Sequence, residues 1–246
     1  MRPIAVSRIL IGGLVLACAF AQTAAAPSSS SASSSPPDVK SLVASYAHAM
    51  HLDRVKQIQS IAITASGYVD NHFVTYSIMA KRPDKYLEIV SIEGTGLRAS
   101  LGFDGTTAWA QNVSGNVLVL SGAAARWVEG LASGAGGDPR SLSVTSGETH
   151  VNGVEYYVIK VRDARGYGRD IMLDEKTYLP TYGRIVAGTV SHLYSVGPLD
   201  TGPLGESYPR LQQVVKMDGS LGDPAAVTSV DDNIALPDSM FAPPGQ

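Results

Sequence analysis

The sequence predicts a mainly β domain of antiparallel strands with two helices, and three observations support this. Runs rich in β-branched and aromatic residues alternate with turn signals along most of the chain. No helix-length segments separate most of these runs, so successive strands are expected to pair with one another in antiparallel fashion. The 25 Gly and 14 Pro among 246 residues are typical of many turns joining short strands.

The folded region is predicted to begin with an amphipathic helix. Asp38 follows Pro36 and Pro37 and is a residue type preferred at a helix N-cap. The apolar residues after it recur at intervals of three and four, and these form one stripe along a helix. They are Val39, Leu42, Val43, Tyr46, Ala47 and Met50.

Strands and one further helix are predicted along the rest of the chain. The expected strands before this helix lie near 60–69, 72–82, 85–92, 97–103, 107–112 and 116–121. The helix is expected within 122–132, followed by the Gly-rich sequence SGAGGD. Strands resume near 142–149, 154–162, 169–174, 181–187, 190–196, 208–217 and 226–231.

Several predicted strands are apolar on both faces. Residues 97–103 alternate cleanly, but 117–120 read Val-Leu-Val-Leu, and 72–82 and 154–162 carry apolar residues at both odd and even positions. A sheet that is apolar on both faces needs cover on both. Two helices cover about one side, so the other face must close as a barrel, line a ligand cavity or pack on a partner.

Residues 1–21 have the features of an export signal. Arg2 and Arg8 form a basic start, and the apolar stretch that follows is too short to span a bilayer. Two processing sites remain open. Ala19-Phe20-Ala21 fits cleavage before Gln22, whereas Val15-Leu16-Ala17-Cys18 resembles a bacterial lipobox in which Cys18 becomes acylated. Both predict that the protein leaves the cytoplasm.

Residues 22–37 are predicted to be a tether, and 38–246 a single domain. The segment PSSSSASSSPP within the tether is of low complexity and has nothing to bury.

Charge and cysteine content argue against several classes of function. The 19 basic and 22 acidic residues yield a net charge of −3 without a Lys/Arg cluster, so no nucleic acid is expected as a partner. The single cysteine, Cys18, excludes a disulfide framework and a Cys-based zinc site.

Motifs for catalysis or metal binding are weak or missing. There is no G-x-S-x-G, H-E-x-x-H or Walker-type loop, so the sequence predicts no catalytic residue, metal or cofactor. His48 and His51 have helical i, i+3 spacing but no third ligand at a suitable distance, which predicts solvated histidines. Asp200-Thr201-Gly202 matches the aspartic-protease triplet but lies between prolines, which indicates a surface loop.

Four strings in a fixed order resemble one protein family. They are Arg82-Pro83-Asp84-Lys85, Gly102-Phe103-Asp104-Gly105-Thr106-Thr107-Ala108-Trp109, Ile171-Met172-Leu173-Asp174-Glu175-Lys176-Thr177-Tyr178-Leu179-Pro180 and Asn233-Ile234-Ala235-Leu236-Pro237-Asp238-Ser239-Met240-Phe241-Ala242-Pro243-Pro244. Together with the signal and the first helix, they resemble the LolA/LolB-like superfamily of bacterial envelope proteins, of the outer-membrane lipoprotein-sorting type. The resemblance covers about residues 38–244.

This resemblance implies an incomplete antiparallel β-barrel whose helices cover an apolar cavity. It also implies a non-enzymatic periplasmic protein, either free or anchored to the outer membrane through Cys18, that binds lipids or lipoprotein acyl chains. A sensor of the same fold that contacts an envelope protein is the alternative. The candidate cavity residues are Leu87, Ile89, Leu101, Phe103, Trp109, Leu118 and Leu120. Strand parity alone leaves open which face points inward.

Overall fold

A computed structural model describes residues 37–69, 71–132, 142–187, 190–215 and 221–245. The predicted export signal, Cys18, almost all of the tether, the turn residue Asp70 and the SGAGGD sequence lie outside the described residues. The structure is mainly β, with 53% of residues in strands and few short helices, as predicted.

The helices are short and the strands numerous. The helices are α1 (Val39–Ala49), α2 (Leu52–Val55), α3 (Gly122–Ala132) and a C-terminal 3-10 helix (Asp238–Phe241). The strands up to α3 are β1 (Ser60–Val69), β2 (His72–Lys81), β3 (Lys85–Ile92), β4 (Arg98–Phe103), β5 (Ala108–Gln111) and β6 (Val117–Val119). After α3 come β7 (Ser143–Val151), β8 (Val154–Arg162), β9 (Gly168–Leu173), β10 (Pro180–Ala187), β11 (Val190–Val196), β12 (Leu199–Thr201), β13 (Ser207–Pro209), β14 (Leu211–Val215) and β15 (Leu221–Asp232).

Thirteen strands form one large sheet in the order β6-β5-β4-β3-β2-β1-β15-β14-β11-β10-β9-β8-β7. The strand pairs of the described residues are antiparallel. The sheet does not close into a barrel, which agrees with the predicted incomplete barrel. β12 and β13 form a separate two-stranded hairpin.

Helix α1 forms where the sequence predicts it. The Asp38 carboxylate accepts hydrogen bonds from the backbone N–H groups of Lys40 and Ser41, at 2.9 and 3.2 Å, and caps the first turn. Leu42, Tyr46 and Met50 of the predicted stripe are buried in the main core. The helix therefore covers the sheet with the face that its apolar periodicity indicates.

The sheet has two buried faces with different covers. The helix-covered face packs against α1, α2 and α3, and it includes Ile63 of β1, Val74 of β2 and Val90 of β3. On the outer face, Leu87 and Trp109 pack against Leu236 and Phe241 near the C-terminus. A second outer cluster contains Val158 and Met172.

The C-terminal segment, residues 233–242, is held on the outer face by hydrogen bonds. The Trp109 indole Nε1–H donates to the Phe241 carbonyl at 2.8 Å, and Ser60 Oγ donates to the Ile234 carbonyl at 2.6 Å. Lys81 Nζ lies 2.9 Å from the Leu236 carbonyl and 2.7 Å from the Asp238 carboxylate. Part of the second apolar face is thus covered by the chain's own C-terminal segment, which the three predicted alternatives did not include.

Candidate functional site

The helix-covered face is the largest apolar surface of the molecule. It runs across β1 to β5, continues on β8 and β9, and contacts Leu42, Val128 and their neighbours on the covering helices. Burial of this face supplies the main hydrophobic stabilisation of the domain.

The seven predicted cavity residues lie on both faces of the sheet. Leu101 and Phe103 are buried on the helix-covered face, and Leu120 packs against the same cluster. Leu87, Ile89 and Trp109 belong instead to the outer cluster under the C-terminal segment. Leu118 on the edge strand β6 is 64% exposed.

Strand register explains this division. Tyr86 and Glu88 of β3 pair directly with Phe103 and Leu101 of β4, so these four side chains share the helix-covered face. Leu87 pairs with Gly102, and Gly102 pairs with Trp109 of β5, so these residues share the outer face. Alternation along one strand cannot reveal this, because it depends on the pairing between strands.

Gly102 provides the space that the Trp109 ring occupies. A Cβ atom at position 102 would lie 2.4 Å from the Trp109 ring carbons, closer than atoms can pack. Gly102 and Trp109, the first and last residues of that string, therefore pack against each other.

A buried carboxyl group interrupts the apolar character of the helix-covered face. Glu88 is 1% exposed and accepts a hydrogen bond at Oε2 from the Tyr86 hydroxyl, at 2.9 Å. Its Oε1 has no hydrogen-bond partner among the described residues. Burial raises the pKa of Glu88 to about 7, and the Tyr86 hydroxyl opposes that shift. Burial also raises the pKa of Tyr76 to about 12, and the nearby Glu88 charge adds to this effect.

A small, partly open cavity lies elsewhere on the helix-covered side, between α1–α2 and the hairpin β12–β13. Its volume is about 40 Å³. Apolar walls come from Met50, Leu52, Val55, Ile58, Ile61 and Ile171. None of the seven predicted cavity residues lines it.

Polar groups converge on the same cavity. Arg169 of β9, Gln212 of β14 and Glu206, which directly precedes β13, are buried and contribute to its lining. The Glu206 side chain is hydrogen-bonded to the neighbouring Asp232 carboxyl group, whereas Gln212 Nε2 has no hydrogen-bond partner among the described residues. Sequence reasoning missed these three residues, because each is an isolated polar residue with no motif around it.

The hairpin β12–β13 forms one wall of the cavity and is tied to the first two helices. Arg54 of α2 donates a hydrogen bond to the Leu204 carbonyl at 3.1 Å, and the Ser207 N–H donates to the Met50 carbonyl at 3.1 Å. Glu206 Oε2 accepts a hydrogen bond from the Leu204 N–H at 3.2 Å. Burial and, after it, the Glu206 carboxylate raise the pKa of the neighbouring Asp232 to about 6.

The sequence Asp200-Thr201-Gly202 lies in this hairpin and does not form a carboxylate dyad of the protease kind. Asp200 is exposed, and its carboxylate lies 3.8 Å from Arg210 Nε. This agrees with the predicted surface position.

Tyr194 completes the cavity wall because its strand partner is a glycine. Tyr194 of β11 pairs with Gly183 of β10. A Cβ atom at position 183 would lie 2.2 Å from the Tyr194 Cζ and hydroxyl oxygen atoms. Burial raises the pKa of the Tyr194 hydroxyl, and the Arg169 charge opposes this.

His48 and His51 do not lie on one helix. His51 lies outside α1 and has a left-handed backbone conformation (φ 54°), so the expected i, i+3 helical spacing with His48 is not present. Within the described ranges, no group of three or more His, Cys, Asp or Glu residues is arranged to hold a metal ion. None of the helices in the described part of the chain has the length and apolar character needed to cross a membrane.

An open groove of about 720 Å³ runs beside the C-terminal segment. Its lining combines polar residues such as Gln57, Lys81 and Asn233 with the apolar Ile234 and Leu236, and most of the exposed lining is apolar.

Three solved structures of bacterial proteins are similar to this chain. A DUF1329 family protein from Desulfovibrio piger superposes with a TM-score of 0.52 at 14% identity, covering 82% of this chain and 97% of that one. A LolA superfamily protein from Nitrosomonas europaea superposes with a TM-score of 0.51 at 13% identity, covering 84% and 98%. A putative outer membrane lipoprotein-sorting protein domain from Vibrio parahaemolyticus has a TM-score of 0.49 at 10% identity, covering 78% and 94%.

Comparison of the sequence with protein-family models and with curated proteins finds no match. The similarity to solved structures therefore concerns the fold alone. The chain has a LolA-like fold, as the four strings in the sequence suggest.

Proposed function

We propose that this chain is a non-enzymatic protein of the bacterial envelope that binds or carries the acyl chains of lipids or lipoproteins. The observation that carries the proposal is the continuous apolar face of an unclosed sheet, covered by short helices rather than by a second sheet. The LolA-like fold supports it, since one solved structure with this fold is named a LolA superfamily protein.

Burial of an acyl chain provides enough energy for useful affinity. Each methylene removed from water contributes about 0.8 kcal/mol, so a dozen contribute roughly 10 kcal/mol. Association and ordering consume part of this gain, which leaves affinity in about the micromolar range.

In this proposal the acyl chain displaces part of the helical cover. The cavity beneath α1 and α2, at about 40 Å³, is far below the roughly 300 Å³ at which ligand pockets begin. Leu42, Met50, Leu52 and Val55 of α1, α2 and their connection fill the intervening space. Ligand binding would therefore move these helices outward and place the acyl chain against the residues that they now cover.

Leu101, Phe103 and Leu120 are the predicted cavity residues that such an acyl chain would contact. The other four, Leu87, Ile89, Trp109 and Leu118, contribute indirectly in this proposal, because they stabilise the opposite face or border the open edge of the sheet.

Export to the periplasm is part of the proposal. It is supported by the signal in residues 1–21 and the Ser/Pro-rich tether of residues 22–37. Acylation of Cys18 would keep the protein at a membrane, and the absence of Asp at position 19 favours the outer membrane by resemblance to sorted lipoproteins.

The test is binding of a fluorescent fatty acid and of a lipopeptide to the delipidated protein. An Ala110→Trp variant places a large ring on the helix-covered face and is expected to weaken binding at least tenfold. Val119→Trp is the matched control, because Val119 is exposed on the opposite side of the neighbouring strand. Failure of the wild-type protein to bind either ligand would refute the proposal.

A second candidate function is an interaction module that contacts an envelope protein. The specific observation is the edge strand β6, whose Val117, Leu118 and Val119 are all exposed. An exposed edge offers unpaired backbone groups to an extended peptide, and the apolar side chains would add contact area. Native mass spectrometry distinguishes the two candidates, since a protein partner without bound lipid favours this one.

A further inference from the structure

The hairpin β12–β13 is bound to the first two helices. The Ser207 N–H donates to the carbonyl of Met50, which ends α1, and Arg54 of α2 donates to the Leu204 carbonyl, both at 3.1 Å. Leu199 and Leu204 also pack against the helix-covered core. A movement of the hairpin away from the sheet would therefore loosen α1 and α2 as well.

The tip of the hairpin is bound to the sheet by a pair of carboxyl groups. Glu206 is 4% exposed, and its side chain is hydrogen-bonded to the carboxyl group of Asp232, the last residue of β15. Glu206 Oε2 also accepts a hydrogen bond from the Leu204 N–H at 3.2 Å, and a Cβ atom at Gly202 would overlap the Glu206 carboxylate. The tip is thus folded around one acidic side chain that contacts the sheet.

A hydrogen bond between two carboxyl groups requires a proton. One of the two must be protonated in order to donate, because an ionised carboxylate only accepts. Burial and, after it, Glu206 raise the pKa of Asp232 to about 6, so Asp232 is the donor below this pH. Once Asp232 loses its proton, two negative charges remain side by side in a buried position, and the contact becomes repulsive.

We infer that the Glu206–Asp232 pair is a proton-dependent latch, which holds the hairpin and the helices α1 and α2 against the sheet when it is protonated and releases them when it is fully ionised. Such a latch acts on the helical cover itself, so it does not depend on which ligand the cover admits.

The nearest charges on the sheet side strengthen the latch. Asp231 is also negative and raises the pKa of Asp232, although it contributes least of the groups that act on Asp232. The Leu204 N–H lowers this pKa. Asp232 pairs across the sheet with Ile61 of β1, which carries no charge.

The charges on the other neighbouring elements have mixed signs. Arg54 of α2 lies beside the tip and is 3.6 Å from the Asp53 carboxylate, and Arg169 of β9 lines the same cavity as the latch. On the hairpin, Asp200 lies 3.8 Å from Arg210. The two cations Arg54 and Arg169 favour the ionised form of the pair, but burial and the acidic neighbours outweigh them, because the pKa of the donor carboxyl is raised overall.

The size of the effect follows from the pKa of Asp232 in the two states. It is about 6 in the closed structure and returns towards its ordinary value of 3.8 when the latch opens and water reaches the carboxyl group. The closed state binds the proton more tightly, so raising the pH favours the open state until Asp232 is ionised in both. Between pH 5 and pH 8 the equilibrium is expected to move about tenfold towards the open state.

Amide hydrogen exchange of the complete protein without ligand measures this opening. The exchange rates of α1, α2 and the hairpin are compared between the wild-type and Asp232→Asn proteins at pH 5 and again at pH 8. Comparison at the same pH cancels the intrinsic pH dependence of exchange. Asn can donate a hydrogen bond to Glu206 but cannot ionise, so it keeps the latch closed. The ratio of the wild-type rate to the variant rate is expected to rise about tenfold from pH 5 to pH 8.

Two further variants locate the effect in the pair. Glu206→Gln can still accept from the Leu204 N–H and can donate to the ionised Asp232, so its exchange at pH 8 is expected to lie within about twofold of Asp232→Asn. Asp223→Asn is the matched control, because it removes an exposed carboxylate from the same strand roughly 30 Å away, and it is expected to exchange as the wild type does. Glu88 titrates in the same range but is present in all four proteins, so it cancels in the ratios.

The outcomes decide the inference without reference to acyl-chain binding, because no ligand is present. A ratio that stays constant between pH 5 and pH 8, or wild-type exchange at pH 8 in both variants of the pair, would overturn it. A pH dependence confined to the hairpin, with α1 and α2 unchanged, would also overturn it, because the latch would then not hold the helical cover.

Discussion

Replacing Glu88 with Gln should stabilise the protein at neutral pH and have little effect in acid. Glu88 is buried on the helix-covered face, and its carboxylate accepts a hydrogen bond from the Tyr86 hydroxyl. Gln has nearly the same shape, and its carbonyl oxygen can accept the same hydrogen bond. The substitution therefore removes the ionisation and leaves the packing almost unchanged.

The magnitude follows from the difference between the folded and unfolded pKa values. Burial raises the pKa of Glu88 from 4.5 to about 7. Because a tenfold change in an ionisation equilibrium is worth about 1.4 kcal/mol, this difference corresponds to roughly 3 kcal/mol. The folded state binds the proton more tightly, so the free energy of unfolding falls as pH rises above 4.5, and the loss is nearly complete above about pH 7.

Urea unfolding of the wild-type and Glu88→Gln proteins between pH 4 and pH 8 measures the effect. The difference between their free energies of unfolding should grow by about 2–3 kcal/mol from pH 4.5 to pH 8. Asp232 also has a raised pKa, about 6, but it contributes equally to both proteins and cancels in the difference. A difference that stays constant across this range would refute the argument that Glu88 is buried and protonated in the folded state.

Three other predictions concern the outer face and the anchor. Phe241→Ala should lower the free energy of unfolding by about 3–5 kcal/mol, because this ring is fully buried against Trp109; a loss below 1 kcal/mol in urea unfolding would contradict the packing role of the C-terminal segment. Gly102→Ala should lower the free energy of unfolding by about 1–3 kcal/mol, and with it the midpoint of thermal unfolding, because the new Cβ displaces the Trp109 ring. Gly147→Ala is the control and should leave the midpoint nearly unchanged, because its Cβ would lie at an ordinary 3.7 Å from Val158. Similar midpoints for both variants would contradict this prediction. Cys18→Ser should move the protein from the membrane fraction to the soluble periplasm, and either an unchanged distribution or a mature N-terminus at Gln22 would show that Cys18 is not the anchor.

Elements with a strong local pattern were predictable from the sequence. α1 begins at its predicted cap, and β1, β3, β8 and β11 have the predicted bounds. Their apolar periodicity is a property of consecutive residues, and turn residues such as Gly94 and Asn71 mark where it stops.

Elements without such a pattern were missed. The four-residue helix α2 is too short to show a period. The hairpin β12–β13 lies in a Gly/Pro-rich stretch that reads as a loop. β15 starts at Leu221 rather than near 226, because Pro224, which normally argues against a strand, is accommodated next to a register shift in β14.

The sequence by itself determined the fold class, the antiparallel pairing and the need for cover on both sheet faces, since these depend on composition and on local alternation. Only the tertiary structure decided which side of each strand faces the helices. Side chains alternate between the two faces of a strand, and either face could be the one that the helices cover. Which face it is depends on pairing with a strand that is distant in sequence. The alternation along each strand made Leu101 and Leu87 equally good candidates for the cavity, and only the pairing of β3 with β4 places them on opposite faces. Trp109 was also a candidate, but the structure places it under Phe241, which is 132 residues further along the chain. The polar residues of the cavity beside the hairpin are likewise brought together only by the tertiary structure, because Arg169, Glu206 and Gln212 lie on β9, the hairpin and β14.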